Sequence, residues 1–320
     1  MTAAPGDLDP GGRTRTATAL DISAARDRIA GHVRRTPVLA VDVDTPAGHR
    51  PVVLKLECLQ VTGSFKPRGA VNSLLTSGAG AVVACSGGNH GLAVAWAARR
   101  LGRRAVVVVP ASAAVTKVAA MHRLGAEVVQ HGDVPAAAFE RAADIVSERG
   151  WPMVHPYDQP ATVEGQGTLG LELIEDAPDV THWLVAVGGG GLPAGVALAV
   201  EGWAQVVAVE PVGCPSLYEA QRSGRPVLTR AEGIARTSLG PPSLGALPWT
   251  VLADRVGPCR LVTDDDIAAG QEWLWREVRV VAEPGGATAL AALRSGAWAP
   301  PPGARVGVVV CGGNADELPR

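Results

Sequence analysis

Lys66 stands in the run Thr62-Gly63-Ser64-Phe65-Lys66-Pro67-Arg68-Gly69. A lysine in a turn is most often a solvated surface charge. Here Phe65 and Pro67 flank it in a rigid turn of small residues. Such a turn can hold the amine partly desolvated and lower its pKa, the state that Schiff-base chemistry requires. A second run, Gly188-Gly189-Gly190-Gly191, follows an apolar stretch and precedes a helical pattern, with Pro193 near the first turn, where its missing N–H is harmless. Glycines there let backbone N–H groups close on an anion at a helix N-terminus, and the anion predicted is a phosphate. The bland alternative is a flexible turn. The same window also fits a dinucleotide fingerprint, Gly189-x-Gly191-x-x-Ala194, with Glu210 ending the next strand about 20 residues on. That NAD reading leaves the first half of the chain without a purpose.

The elements around these runs alternate between short apolar stretches and helical patterns, with no fixed-period repeat. Strands are predicted at Val52–Glu57, Ala81–Ser86, Ala105–Pro110, Glu127–His131, Pro152–His155, Trp183–Val187, Gln205–Glu210, Cys259–Thr263 and Arg305–Cys311. Helices are predicted at Asn89–Gly102, Ala113–Gly125, Ala136–Gly150, from after Gly165 to Asp176, at Leu192–Gly202 and at Ala287–Ser295. Thr263 and Asp266 form a capping box opening a further helix to about Val278. Arg222–Trp249, rich in Gly, Pro and Ser, reads as irregular. The β/α alternation with continuous Val-rich strands predicts an α/β fold of parallel sheets covered on both faces, with ligands beyond the carboxyl ends of the strands.

The composition supports a metabolic rather than a nucleic-acid or membrane role. With 320 residues, 47% hydrophobic and 19% charged, the chain is globular and forms one large or two modest domains. A net charge of −2 gives no electrostatic case for nucleic acid or an anionic membrane, so small molecules or further copies of the chain are the expected partners. Cys58, Cys85, Cys214, Cys259 and Cys311 are odd in number and scattered, without C-x-x-C. This argues against disulfides or zinc and for a reducing compartment. Apolar runs such as Ala105–Pro110 are too short to span a bilayer. Met1–Gly12 reads as a disordered lead-in to a cytoplasmic protein, not a signal peptide.

The lysine segment resembles the cofactor-lysine motif of the fold-type II pyridoxal 5'-phosphate (PLP) enzymes, a family that includes threonine and serine dehydratases, serine racemase and cysteine synthase. The resemblance runs from about Asp21 to Asp316. It includes Cys85-Ser86-Gly87-Gly88-Asn89-His90-Gly91, Gly165-Gln166-Gly167-Thr168, the glycine run, Glu283-Pro284 and Cys311-Gly312-Gly313-Asn314. It implies a tryptophan synthase β-like fold of two domains with parallel, helix-covered sheets. Residues 1–52 and 156–320 would form a large PLP-binding domain, and residues 53–155 a small domain carrying the lysine and the asparagine loop. A homodimer is implied as well. The chain stops shortly after the Cys311 loop, so no C-terminal regulatory domain is expected.

By this resemblance Lys66 holds PLP as a Schiff base, then serves as the base at the substrate Cα. Phe65 packs beside the ring, and Asn89 bonds the ring hydroxyl or caps the helix that begins there. Gly188, Gly189, Gly190, Gly191 and the Leu192 amide hold the phosphate. Cys311 faces the pyridine nitrogen, although any cysteine can be merely a small buried residue. Such a neutral partner weakens the ring as an electron sink and favours prompt loss of a β-leaving group. Glu283 either touches the cofactor edge or is a plain loop carboxylate. Ser86, Gly87, Gly88 and His90 bind the substrate, with a structural role equally open for His90. Racemisation needs an acid on the face opposite the lysine; serine racemase has a serine for this purpose where Gly87 stands. Serine racemase-like proteins also hold a divalent cation through a Glu and an Asp. Glu210 matches the first but Ser216 stands at the second, so a weak metal site or none is expected, with a plain strand-end carboxylate as the other reading of Glu210. Glu164 departs from the family's usual small residue, and Gly233–Gly245 from the usual dehydratase wording. The expected reaction is β-elimination of water from L-threonine or L-serine to a 2-oxo acid and ammonia. The alternatives are PLP-dependent β-replacement or racemisation, an NAD-dependent oxidoreductase, and a non-catalytic metabolite-binding relative.

Overall fold

A computed structural model describes residues 20–315. Met1–Gly12 and Asp316 lie outside the described residues. In chain order the elements are α1 (Ile22–Ile29), β1 (Val38–Thr45), β2 (Gly48–Lys55), α2 (Lys66–Ser77), β3 (Ala81–Cys85), α3 (Asn89–Arg100), β4 (Arg104–Val109), α4 (Val115–Arg123), β5 (Glu127–Gln130), α5 (Pro135–Arg149) and α6 (Pro160–Asp176). They continue with β6 (His182–Ala186), α7 (Gly191–Ala199), β7 (Gln205–Pro211), α8 (Ser216–Ser223), α9 (Arg236–Leu239), α10 (Ala246–Arg255), β8 (Arg260–Val262), α11 (Asp264–Trp273), α12 (Pro284–Ser295) and β9 (Val306–Val309).

The chain forms two compact units. One holds the described residues up to Val33 together with Lys66–Gln166; the other holds Arg34–Phe65 and the described residues from Gly167. These cuts differ from the sequence-based boundaries. Ile29 of α1 shares a core with Leu74 of α2, which places α1 in the first unit. The β1–β2 pair lies wholly in the second.

In the first unit β3, β4 and β5 form a parallel sheet in that order. β3 and β4 are apolar on both sides, and their side chains divide by parity. Val82, Ala84, Val107 and Val109 join the core made with α2 and α3. Val83, Cys85, Val106 and Val108 face Ala138, Ala142 and Ile145 of α5. Burial on both faces is what a continuous Val/Ala run requires. The strand expected at Pro152–His155 reduces to a single parallel bridge between Met153 and Val83.

The second unit holds a six-stranded sheet in the order β1-β2-β9-β6-β7-β8. All neighbours from β2 to β8 are parallel. β1 departs from the expected all-parallel arrangement: it turns back on β2 through Pro46-Ala47, paired from Val38↔Lys55 to Thr45↔Gly48. A two-residue turn allows only antiparallel pairing.

Other local expectations needed correction. Lys66 does not sit in a turn but opens α2, with Pro67 in the first turn, where proline is tolerated. α6 begins at Pro160, not after Gly165. Gly165 lies inside the helix because a Cβ there would meet Arg68 O at 2.5 Å. The segment 222–249 is not wholly irregular, since it contains α9 and the start of α10. The capping box is present, with Asp266 N donating to Thr263 Oγ1 at 3.1 Å and Thr263 N to Asp266 Oδ2 at 2.9 Å. It stabilises α11 by about 1 kcal/mol. α11 ends at Trp273, and a π-helical turn, Leu274–Val278, runs on to Arg279 at φ 59°.

Candidate active site

Lys66 is half-buried, and its Nζ donates to Pro156 O at 2.9 Å. Sequence reasoning missed this carbonyl, although Pro156-Tyr157-Asp158 carried turn composition. The turn is tied on every side. Gln159 Oε1 accepts from His155 N at 3.0 Å, and Thr162 Oγ1 donates to His155 O at 2.9 Å. His155 Nδ1 accepts from Asp158 N at 2.8 Å and Tyr157 N at 3.3 Å, so its ring hydrogen sits on Nε2. Burial lowers the His155 pKa to about 4; Asp158 opposes this, and the neighbouring Lys66 charge reinforces it. The amine therefore faces a fixed acceptor beside a neutral ring.

The asparagine loop follows β3. Gly88 occupies the capping position of α3, so Asn89 is the first helical residue and not its cap. Ser86 Oγ accepts from Gly88 N at 3.1 Å. A Cβ on Gly91 would lie 2.1 Å from Ser86 O, which is why the loop can close so tightly on the helix. Ser86, Gly87, Gly88 and Asn89 are half-buried. His90 is 3% exposed, and its Nε2 lies 2.8 Å from Val154 O. Burial, then the Lys66 charge, lowers its pKa to about 3, so a neutral His90 ties α3 to the segment before Pro156. Gly69 N donates to Gln166 Oε1 at 3.2 Å, locking the start of α2 onto α6. The unusual Glu164 is fully buried, with Arg28 Nη2 at 3.2 Å, Asp21 N at 3.2 Å and Asn72 Nδ2 at 3.4 Å. It joins α1 and α2 to α6, which gives the departure a structural reason.

The glycine loop lies in the other unit, between β6 and α7. Gly190 caps α7 in the left-handed region at φ +89°. A Cβ there would lie 2.7 Å from Pro248 Cβ and 2.8 Å from Leu244 Cδ1. The first amides of a helix lack intrahelical acceptors and carry the positive end of its dipole. The same unit stitches the segment before Lys66 onto the loop after β9. Phe65 N donates to Cys311 O at 3.1 Å, Gly313 N to Gly63 O at 2.8 Å and Asn314 Nδ2 to Thr62 O at 2.8 Å. Cys311 is 4% exposed and its Sγ donates to Gly285 O at 3.3 Å. Glu283 is buried; a Cβ on Gly312 would lie 2.0 Å from its Oε1.

These parts suit pyridoxal phosphate. Each unit by itself offers groups of the kind this cofactor needs: a half-buried amine in the first, and in the second a left-handed glycine at a helix N-terminus and a buried thiol. Ser64 Oγ, in the segment bridged to Gly312, is buried without a hydrogen-bond partner, a polar atom that a bound group or water would satisfy. The NAD reading fails at its acidic residue. Glu210 is fully buried and accepts from Leu217 N at 2.7 Å and Tyr218 N at 2.9 Å, so it is not open to a ribose.

Comparison with known proteins agrees. Residues 29–312 match the family described as pyridoxal-phosphate dependent enzyme. The chain is 38% identical to the phenylserine dehydratase of Ralstonia pickettii, over 94% of this chain and 95% of that one. It is 34% identical to a serine racemase of Arabidopsis thaliana, over 93% of each. The crystal structure of a threonine deaminase from T.th. matches with a TM-score of 0.84 at 34% identity, covering 93% of this chain and 98% of that one. On this family match, and with an α/β architecture that its fold-type II neighbours share, the chain belongs to the pyridoxal-phosphate dependent enzymes.

Proposed function

We propose that the chain is an ammonia-lyase that removes water from a 3-hydroxy amino acid, L-threonine or L-serine, to give a 2-oxo acid and ammonia. Bound pyridoxal phosphate supplies the electron sink that lets the Cα–H bond break near neutral pH. Lys66 Nζ would anchor it, Gly188–Gly191 and the Leu192 amide would hold its phosphate, and Asn89 its ring hydroxyl. Phe65 would pack beside the ring, Cys311 would meet the ring nitrogen and Glu283 the ring edge. Ser86, Gly87 and Gly88 would bind the substrate carboxylate, with His90 bracing that loop from behind. Lys66 Nζ takes the Cα proton and the 3-hydroxyl leaves as water. The released enamine tautomerises and is hydrolysed. We further place the protein in the cytoplasm as a homodimer. The five free, buried cysteines accord with a reducing compartment, and no described helix is long and apolar enough to cross a membrane.

The observation that carries elimination over racemisation is at Gly87. A Cβ there would lie 2.9 Å from Ala113 Cβ, so position 87 carries no side chain and a new one is crowded, while the adjacent Ser86 hydroxyl is bonded to Gly88 N at 3.1 Å and would have to reorient to serve instead. On this reading Lys66 carries the proton at the Cα. The test is a panel of amino acids followed for 2-oxo acid, ammonia and D-isomer. Phenylserine is included because a relative bears that name. Oxo acid and ammonia in equal amounts with only trace D-isomer are expected. Abundant D-serine would overturn the reading of Gly87; cofactor bound with no turnover of any amino acid would make the chain a non-catalytic relative. Gly87→Ser is expected to gain little D-isomer and to lose about 1–3 kcal/mol of stability, read by thermal melting, because the new side chain overpacks Ala113.

A further inference from the structure

Glu210 lies at the end of β7, where serine racemase-like proteins place a cation ligand, yet the group around it is not a metal site. Among the described residues no three His, Cys, Asp or Glu side chains gather to hold a metal ion. Both carboxylate oxygens are already engaged. Oε1 meets Leu217 N at 2.7 Å and Ser216 Oγ at 2.8 Å, and Oε2 meets Tyr218 N at 2.9 Å and Cys259 Sγ at 3.4 Å. A divalent cation needs several open oxygen ligands and would have to displace these donors.

The hydrogens in this cluster can be counted. Ser216 Oγ lies 2.6 Å from Gly188 O and 2.8 Å from Glu210 Oε1, both O–H···O distances. A serine hydroxyl has one hydrogen, so it can make a full, linear bond to only one of the two acceptors. The count closes when the carboxyl carries the other: Glu210 donates to Ser216, and Ser216 donates to the Gly188 carbonyl. Gly188 opens the glycine loop. We infer that Glu210 is a neutral carboxylic acid that braces the glycine loop through the chain Glu210–Ser216–Gly188, and that a divalent cation has no place at this position.

The surroundings support a retained proton. Burial pushes the Glu210 pKa up to about 7 against hydrogen bonds from Leu217, Tyr218, Ser216 and Cys259. The two α8 amides favour the anion, but no cation compensates it. The titratable groups around it are the Cys259 thiol, held well above its ordinary value chiefly by burial, with Arg260 beyond it; the Cys214 thiol, with Asp264 beyond it; and Tyr218 on α8. α7 carries no titratable side chain and α12 only Arg294. A carboxyl with a raised folded pKa holds its proton more tightly folded than unfolded. Its stabilising contribution is complete below about pH 4.5 and is lost as pH rises through about 7.

Infrared spectroscopy of the purified protein as isolated tests the inference. The wild type should show the carbonyl stretch of a protonated carboxylic acid that disappears as pH rises through about 7, is absent in Glu210→Gln and shifts in Ser216→Ala. Between about pH 5 and pH 8 the wild type should lose roughly 3–6 °C of Tm relative to Glu210→Gln. Mg2+, Ca2+ or a chelator should leave Tm unchanged. Absence of the acid band at about pH 5, or a rise in Tm with Mg2+ or Ca2+ that Glu210→Gln abolishes, would overturn it. These readouts need neither substrate nor turnover. The consequence for the cofactor rests on assigning its phosphate to Gly188–Gly191: Ser216→Ala should weaken binding of added pyridoxal phosphate about tenfold. If the band and melts behave as stated but cofactor affinity does not move, the phosphate assignment fails and the proton assignment stands.

Discussion

Lys66→Ala should cut ammonia release by on the order of 10⁴-fold or more while the protein stays folded. The size follows from two roles resting on one atom. On the proposed function Nζ would be both the covalent anchor for the cofactor and the base at the substrate Cα. The cost to the fold is small. Lys66 opens α2, where alanine is a good helix former, and its half-buried Nζ donates to the Pro156 carbonyl at 2.9 Å. Melting should shift by no more than about 1 kcal/mol in equivalent stability. The variant should still take up pyridoxal phosphate through the glycine loop, but borohydride should no longer fix it to the chain. Mass spectrometry of the reduced wild type should find the adduct on the peptide containing Lys66. Activity within tenfold of wild type would sink both roles together.

Gly190→Ala should have the next largest effect, on cofactor grip. At φ +89° an L side chain is strained, at a cost of about 1–3 kcal/mol. The Cβ would also enter Pro248 and Leu244, and relief would move the first turn of α7 away from the place where, on the proposed assignment, its amides would meet the phosphate. Affinity for pyridoxal phosphate should fall by about 100-fold, measured by absorbance titration, with a parallel loss of Tm. Gly102→Ala is the control. It shares the left-handed backbone, at φ +64°, but has nothing within 4 Å of a new Cβ. It should lose about 1 kcal/mol of stability and leave cofactor affinity unchanged. Equal affinities in the two variants would mean that the loop does not hold the phosphate.

The parts of the fold legible in the sequence are those specified by local chemistry. The continuous Val runs of β3 and β4, the glycine step from β6 into α7 and the Thr263–Asp266 box each carry their reason within a few residues. What the sequence obscured was set by distant neighbours. Gly165 looks like a helix breaker until Arg68 O is seen where a side chain would go. Phe65-Lys66-Pro67 looks like a turn because proline at a helix start and proline in a turn read alike. The Gly/Pro-rich stretch before Trp249 concealed α9 and α10. In the site, Lys66 and the glycines were visible from type and spacing. The Pro156 carbonyl was not, since a backbone atom leaves no mark of its own in a sequence. Glu210 fitted a ribose or cation ligand by position, and only its buried partners show that its lone pairs are spent.

The sheet order also governs when the molecule can be completed during synthesis. β9, the last described strand to leave the ribosome, belongs between β2 and β6, in the interior of the six-stranded sheet. The loop after it supplies the bonds that fasten Thr62–Phe65, up to 252 positions earlier in the chain. A nascent chain therefore holds every strand of the β3-β4-β5 sheet well before the approach to Lys66 has a partner. Until β9 inserts, β2 and β6 present open edges, the condition under which strands pair wrongly. Premature termination before Val306 should thus leave a chain whose lysine is present but whose second unit is unclosed and prone to aggregate.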